Sequence, residues 1–207
     1  MHTPRQVHAV CFDLGGVVLL DQFSDIVVQR AARLLHADAG LLRDAMRREQ
    51  GPMQCGKEPA TEFWRRVCRS LGMEAPAESS LRDLLIRGYR RHTKPNRELL
   101  QVVAQLRSKC PVALISNTIP EHTDVNRSRG LFKHFDSVIL SHEVGARKPQ
   151  RRIFEVASAA LETPRQKMAF VDDEPEFIAA AARLGMHAIR FESNAQVCSE
   201  LQKLISY

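Results

Sequence analysis

The sequence predicts an α/β fold: a parallel sheet with helices on both faces, and an all-helical insert after the first strand. Two patterns carry this expectation. Beyond Pro95, short apolar runs of β-forming residues alternate with segments of helical spacing, as in a parallel sheet covered on both faces. Between residues 21 and 92, apolar residues recur at helical spacing and no convincing strand intervenes. The 207 residues are enough for one core carrying such an insert. With 44% hydrophobic and 26% charged residues, the chain can build a core and is not a disordered segment.

Residues 7–12 form a short apolar run that ends at Asp13-Leu14-Gly15-Gly16, which reads as a buried strand followed by a turn. Helical spacing begins with Ile26, Val27, Ala31, Leu34 and Leu35. Further helices are expected at 41–48, 61–71 and 80–91, punctuated by Gly51-Pro52, Gly56, Gly72 and Pro76. Residues 96–108 read as a helix and 112–115 as a strand. A loop with short helices leads to a strand at 137–140 and a helix at 152–161. A strand at 168–171 precedes an Ala-rich helix at 175–184, closed by Gly185. Residues 187–191 and 195–205 complete the alternation. The core is therefore expected to comprise 1–20 and 93–207, with 21–92 as the insert.

No apolar run approaches the ~20 residues of a membrane helix. Arg5 followed by the apolar residues 9–20 imitates a signal peptide, but Asp13 interrupts it and no small-residue cleavage site follows. Cys11, Cys55, Cys68, Cys110 and Cys198 are odd in number and scattered, which argues for reduced thiols and a cytoplasmic setting. The net charge is +6, concentrated at Arg87, Arg90, Arg91 and Lys94, with Arg47, Arg48, Arg65 and Arg66 upstream. A solvated helix face explains such runs, and attraction of an anionic substrate is a second reading. No nucleic-acid motif accompanies them, so neither nucleic acid nor membrane is expected as a partner.

Four stretches carry chemistry, each at the C-terminal end of an expected strand, where open α/β sheets gather their ligands. The first presents Asp13 before a glycine-rich turn; taken alone, Asp13 can be merely a turn former. The second, VALISNT, delivers Ser116 and Asn117 as hydroxyl and amide donors, although such residues also serve as helix caps. The third places Lys148 before Pro149, a residue suited to a helix start. A cation there does not serve the helix dipole, and it suggests an anion nearby, unless it is an ordinary surface lysine. The fourth sets Asp172 beside Asp173. Asp173 can cap the helix that follows, yet two adjacent carboxylates repel unless a cation joins them, and carboxylates are preferred magnesium ligands. Together these residues supply a carboxylate nucleophile, phosphate donors, a cation and an acidic metal pair, the parts that phosphoryl transfer needs.

In order and spacing, DLGGVV, ISNT, Lys148-Pro149 and VDDEP resemble the four motifs of the haloacid dehalogenase superfamily across nearly the whole chain. Within it, the motifs look most like bacterial α-D-glucose-1-phosphate phosphatases and the N-terminal phosphatase domain of soluble epoxide hydrolases. The resemblance implies a Rossmann-like core with a helical cap at 21–92, Mg2+ as cofactor and a small phosphorylated metabolite, such as a sugar phosphate, as substrate. It also implies roles: Asp13 as nucleophile and metal ligand, Ser116 and Asn117 as phosphoryl holders, Lys148 as neutralising cation. Asp173 would be the main acidic metal ligand, Asp172 its support and Gly15 a metal ligand through its carbonyl.

Two positions depart from the family pattern. Gly15 stands where family phosphatases carry a second Asp as general acid and base, a function that contributes about 10²–10⁴-fold. Phe177 stands four residues after Asp173, where Asn or Asp is frequent. Glucose-1-phosphate-type relatives share the glycine, and an anomeric leaving group needs less protonation. Two alternatives are compatible with the motifs: a metal-independent 2-haloacid dehalogenase, and a binding or regulatory protein that has lost turnover. Among insert residues, Phe63, Trp64, Arg65 and Arg66 are candidates to face the cleft, with apolar packing as the alternative for the two aromatics.

Overall fold

The computed structural model describes residues 7–21 and 23–205; Arg5 with the rest of 1–6, residue 22 and residues 206–207 lie outside them. The chain enters through β1 (Ala9–Phe12) and β2 (Leu19–Asp21). It then passes through α1 (Phe23–Leu35), α2 (Ala39–Gln54), α3 (Ala60–Ser70) and α4 (Glu78–His92), and returns by β3 (Thr93–Pro95). Next come α5 (Arg97–Arg107), β4 (Val112–Ser116), α6 (Pro120–Ser128), β5 (Ser137–Leu140), α7 (Ser141–Val144) and α8 (Arg151–Ala160). The chain closes with β6 (Met168–Asp172), α9 (Pro175–Arg183), β7 (His187–Arg190) and α10 (Asn194–Leu204).

Five strands make a parallel sheet in the order β5-β4-β1-β6-β7. Every side chain of β1 is buried, and the period of two sorts them between two apolar layers. Val10 and Phe12, with Leu114 and Val171, pack with Leu99 and Val103 of α5 and Val197 and Leu201 of α10. Ala9 and Cys11, with Ile115 and Phe170, pack with Ile153, Phe154 and Ala157 of α8 and Ala180 and Ala181 of α9. The alternation expected from the sequence is therefore the observed α/β architecture.

Two features of the helical block differ from the sequence expectation. β2 and β3 pair as an antiparallel ribbon, Leu19 opposite Pro95 and Asp21 opposite Thr93, so short strands flank a block that reads as purely helical. Three-residue strands paired across a long insert leave no local periodicity to detect. Also, α2 does not stop near Arg48 but continues through Gly51-Pro52 to Gln54. Pro52 lies in the last turn, where it removes only a terminal hydrogen bond. Burial of Leu42, Ala45 and Met53 along one face offsets that loss.

The inner faces of the helices meet around Phe63 and Trp64, 1% and 0% exposed, whose rings lie edge-on at 5.2 Å. Tyr89 of α4 stacks on His122 of α6 at 3.9 Å, and its hydroxyl accepts a hydrogen bond from Asn126 Nδ2. All five cysteines are unpaired, four of them buried. No helix among the described residues is long and apolar enough to cross a membrane.

Candidate active site

Asp13, Ser116, Asp172 and Asp173 lie at the C-terminal ends of the adjacent strands β1, β4 and β6. The Asp13 N–H donates to Val171 O at 2.8 Å, which carries the β1–β6 pairing one residue further and fixes where the carboxylate emerges. The chain then turns sharply, Leu19 N–H returning to Leu14 O at 2.7 Å. Gly16 takes φ +75 in this turn, and a Cβ there would stand 2.3 Å from Asp173 Oδ2. Glycine is thus required twice, by conformation and by the carboxylate packed against it.

Lys148 arrives from the loop between α7 and α8. Its Nζ donates to Asp13 Oδ1 at 2.5 Å and to Asp172 Oδ2 at 2.6 Å, with Lys148 1% exposed and Asp172 fully buried. The lysine is therefore a buried clamp between two carboxylates and not a surface side chain. Asp172 spends its other oxygen on the Glu174 N–H, 2.9 Å away, at the start of α9. Phe177 lies with its ring centroid 4.8 Å from Nζ, so the residue that departs from the family pattern contributes an aromatic face to the cation.

Burial pushes the Asp13 carboxyl up to about 7, Lys148 pulling it down and Asp172 adding to the rise. Burial alone would lower the Lys148 ammonium, but Asp13 and Asp172 together hold it above its ordinary value. Asp173 is raised by burial and by the neighbouring Asp172. Oxygens of Asp13, Asp172 and Asp173 all lie within 4.8 Å of one another, an all-carboxylate group able to hold a cation.

Asn117 borders the cleft and engages its side-chain amide with the main chain of Lys148. Its Nδ2 donates to Lys148 O at 2.9 Å, and its Oδ1 accepts from Lys148 N–H at 2.8 Å. The amide thus ties the end of β4 to the lysine loop. Ser116 is buried at 3% exposure and borders the cleft. Ser141, which nothing local in the sequence singled out, accepts from Thr118 N–H at 2.9 Å and donates to Thr118 O at 3.2 Å, pinning the same loop. The helix expected over 152–161 begins at Arg151, and Pro149 lies before it; the Lys148-Pro149 bond is cis and sits inside a turn closed by Gln150 N–H to Arg147 O.

Two connected spaces open above these groups. A cleft of about 770 Å³ holds Asp13, Gly15, Lys148 and Asp173, and Arg43 and Arg47 of α2 line it too. A narrower chamber of about 340 Å³ is walled by Val27, Val28, Met46, Met53, Phe63 and Tyr89. Gly15, Ser116 and Asn117 border both. Of Phe63, Trp64, Arg65 and Arg66, Phe63 lines the chamber and the other three do not. Trp64 packs inside, Arg65 pairs with Glu62, and Arg66 pairs with Glu49 and Glu58. The helical spacing of Arg43, Arg47, Gln50 and Gln54 was the signal that marks α2 as the lining helix.

Residues 7–185 match a family model described as haloacid dehalogenase-like hydrolase. Mouse acyl-CoA dehydrogenase family member 10 is 26% identical over 98% of this chain and 20% of its own length. Rat bifunctional epoxide hydrolase 2 is 25% identical over 96% of this chain and 39% of its own length. The chain thus spans less than half of these two relatives. D-ribitol-5-phosphate phosphatase of Bacteroides thetaiotaomicron is 26% identical over 95% of this chain and 98% of its own length. Among solved structures, a predicted HAD-like hydrolase from Porphyromonas gingivalis superposes with TM-score 0.75 at 24% identity, covering 95% of this chain and 98% of its own. A HAD-family enzyme of B. thetaiotaomicron in complex with magnesium and inorganic phosphate gives TM-score 0.68 at 17% identity, over 90% and 94% of the two chains.

Proposed function

Since the chain belongs to the haloacid dehalogenase-like hydrolase family, we propose that it is a magnesium-dependent phosphatase of a small phosphorylated metabolite, with Asp13 as nucleophile. The observation that carries this reading is the group of three carboxylates gathered beside one buried lysine. The full-length likeness to a D-ribitol-5-phosphate phosphatase supports a sugar or polyol phosphate as the substrate class. In this reading residues 1–20 and 93–207 are the catalytic core, and residues 21–92 are a cap that covers the substrate.

The donor set suits Mg2+: among the described residues the cluster is made of the carboxylates of Asp13, Asp172 and Asp173, and no thiolate or imidazole belongs to it. Asp13 and Asp173 would hold the ion with the Gly15 carbonyl, Asp172 supporting them from its bonds to Lys148 and Glu174. When bound, the ion supplies positive charge for the phosphoryl oxygens.

Asp13 attacks phosphorus through a carboxylate oxygen. The bond from phosphorus to the departing oxygen breaks, that oxygen takes up a proton, and an acyl phosphate remains on Asp13. Water then attacks the same phosphorus, the bond to Asp13 breaks, and inorganic phosphate and the free carboxylate result. Lys148 keeps Asp13 oriented and offsets the charge that two anions bring together. Ser116 holds a phosphoryl oxygen by its hydroxyl. Gly15 offers no proton, so the departing oxygen takes its proton from another source, and esters with better leaving groups turn over faster than alkyl esters.

A panel of phosphate monoesters assayed for phosphate release, with magnesium and with chelator, tests the proposal. Magnesium-dependent release from at least one sugar or polyol phosphate is expected. No release from any ester, or chloride release from 2-haloacids without metal, would overturn it.

A further inference from the structure

Arg43, Arg47, Gln50 and Gln54 of α2 lie at i, i+4, i+7 and i+11, one face of the helix, and all four line the cleft. Arg147 enters the same cleft from the core side. It lies against α2 at Gly51, where a Cβ would stand 3.4 Å from its Nη1. Arg47 is one helical turn before Gly51 on the same side of α2, and both arginines border the cleft.

Their partners differ from those of their neighbours. Arg43 is paired with Asp25 at 2.7 Å, and Lys148 is held by two carboxylates. Neither Arg47 nor Arg147 has a carboxylate within 4.0 Å among the described residues, although Asp25, Glu174 and Glu176 also border the cleft. The Nε of Arg147 is buried with no acceptor, and burial lowers the guanidinium pKa. Glu176 acts on Arg147 only from beyond ion-pair distance, and Arg47 is exposed at the cleft wall. A half-buried guanidinium so weakly countered costs folding free energy, which an anion arriving from outside would offset.

We propose that Arg47 and Arg147 form a second anion subsite, so that the substrate is a phosphate monoester whose body carries a further carboxylate or phosphoryl group. This rests on the phosphatase reading for the first phosphate and narrows its substrate class. Guanidinium groups suit the task because each presents a planar fork that matches both anions.

Phosphonates, which the enzyme cannot hydrolyse, read this subsite independently of turnover. In the presence of magnesium, 3-phosphonopropionate and propylphosphonate are titrated calorimetrically into the wild-type chain, Arg47→Gln and Arg147→Gln. The wild type is expected to prefer the carboxylated ligand by about tenfold or more, and each substitution to remove most of that preference. Should Arg147→Gln fail to melt cooperatively, Arg147→Lys replaces it. It keeps the charge but not the fork, and a preference reduced severalfold is expected. Propane-1,3-bisphosphonate, titrated in parallel, shows whether a phosphoryl-type group is taken in preference to the carboxylate. Equal affinity for 3-phosphonopropionate and propylphosphonate, a preference that survives the substitutions, or no binding of any phosphonate would overturn the subsite. Phosphate release without such discrimination would sink the subsite alone. Discrimination without release from any ester would sink the phosphatase reading alone.

Discussion

Asn117 and Lys148 are joined by a reciprocal pair of hydrogen bonds, the side-chain amide of one gripping the main-chain N–H and C=O of the other at 2.8 and 2.9 Å. The tip of β4 thereby fixes the loop from which the Lys148 ammonium reaches Asp13. Asn117→Ala should lower kcat about 10–100-fold with little change in KM, since small misplacements of a catalytic group are costly. Asn117→Asp should be worse, because it sets a carboxylate against the Lys148 carbonyl. Steady-state kinetics on one substrate checks both, and a change confined to KM would show that Asn117 acts on substrate and not on the lysine.

Asp13→Asn should fold, because the amide oxygen still accepts from Lys148 Nζ, and should show no turnover. Activity near the wild-type level in a cooperatively melting Asp13→Asn sample would remove the proposed nucleophile.

Gly16→Ala is expected to affect stability and metal binding together. The left-handed φ of +75 is strained for alanine, and the new methyl must displace the Asp173 carboxylate. A loss of about 1–3 kcal/mol in urea unfolding is expected, with weaker magnesium binding by titration. Unchanged magnesium affinity would separate Asp173 from the metal.

Gly15→Asp tests the missing proton donor. With the positive φ of the turn falling on Gly16, the added carboxylate should speed hydrolysis of alkyl phosphates more than of aryl phosphates. An equal change on both would show that Gly15 is not where the acid is lacking.

Asp136 supplies a pH dependence far from the site. Burial raises its pKa, but the Arg107 side chain and the Val112 N–H outweigh that and hold the carboxyl below its ordinary value. Because the folded pKa is depressed, the stabilisation is complete above the ordinary carboxylate range and fades as pH falls through the folded value. Asp136→Asn should cost about 0.5–1 kcal/mol at pH 7, given the partial exposure of the pair, and progressively less below about pH 4. Urea melts across that range measure it, and a gap constant with pH would contradict the assignment.

Legibility followed the range of the interactions. β1, β4 and β6 could be read because each is an apolar run ending in polar groups, and their tips brought Asp13, Ser116 and Asp172 together as expected. The β2–β3 ribbon could not be read, because its pairing is set by residues far apart in the chain. The side-chain direction of Asn117 was equally hidden: a motif places the residue at a strand tip but not the partner its amide selects. Gly51-Pro52 reads as a helix end, and only the apolar face that continues beneath it in the fold carries α2 on to Gln54.

The ribbon has a consequence for how this chain can change. Asp21 and Thr93 stand opposite each other, so the intervening segment leaves and re-enters the sheet domain at neighbouring points, and the entropy of closing that loop is met locally. A segment of different length or helix number whose ends meet at the same spacing would leave the β1–β4 register, Val10 opposite Val112, undisturbed. The lining that α2 gives the cleft can therefore be exchanged as a module, by insertion, deletion or grafting between two fixed stems, while the carboxylates and lysine beneath stay in place.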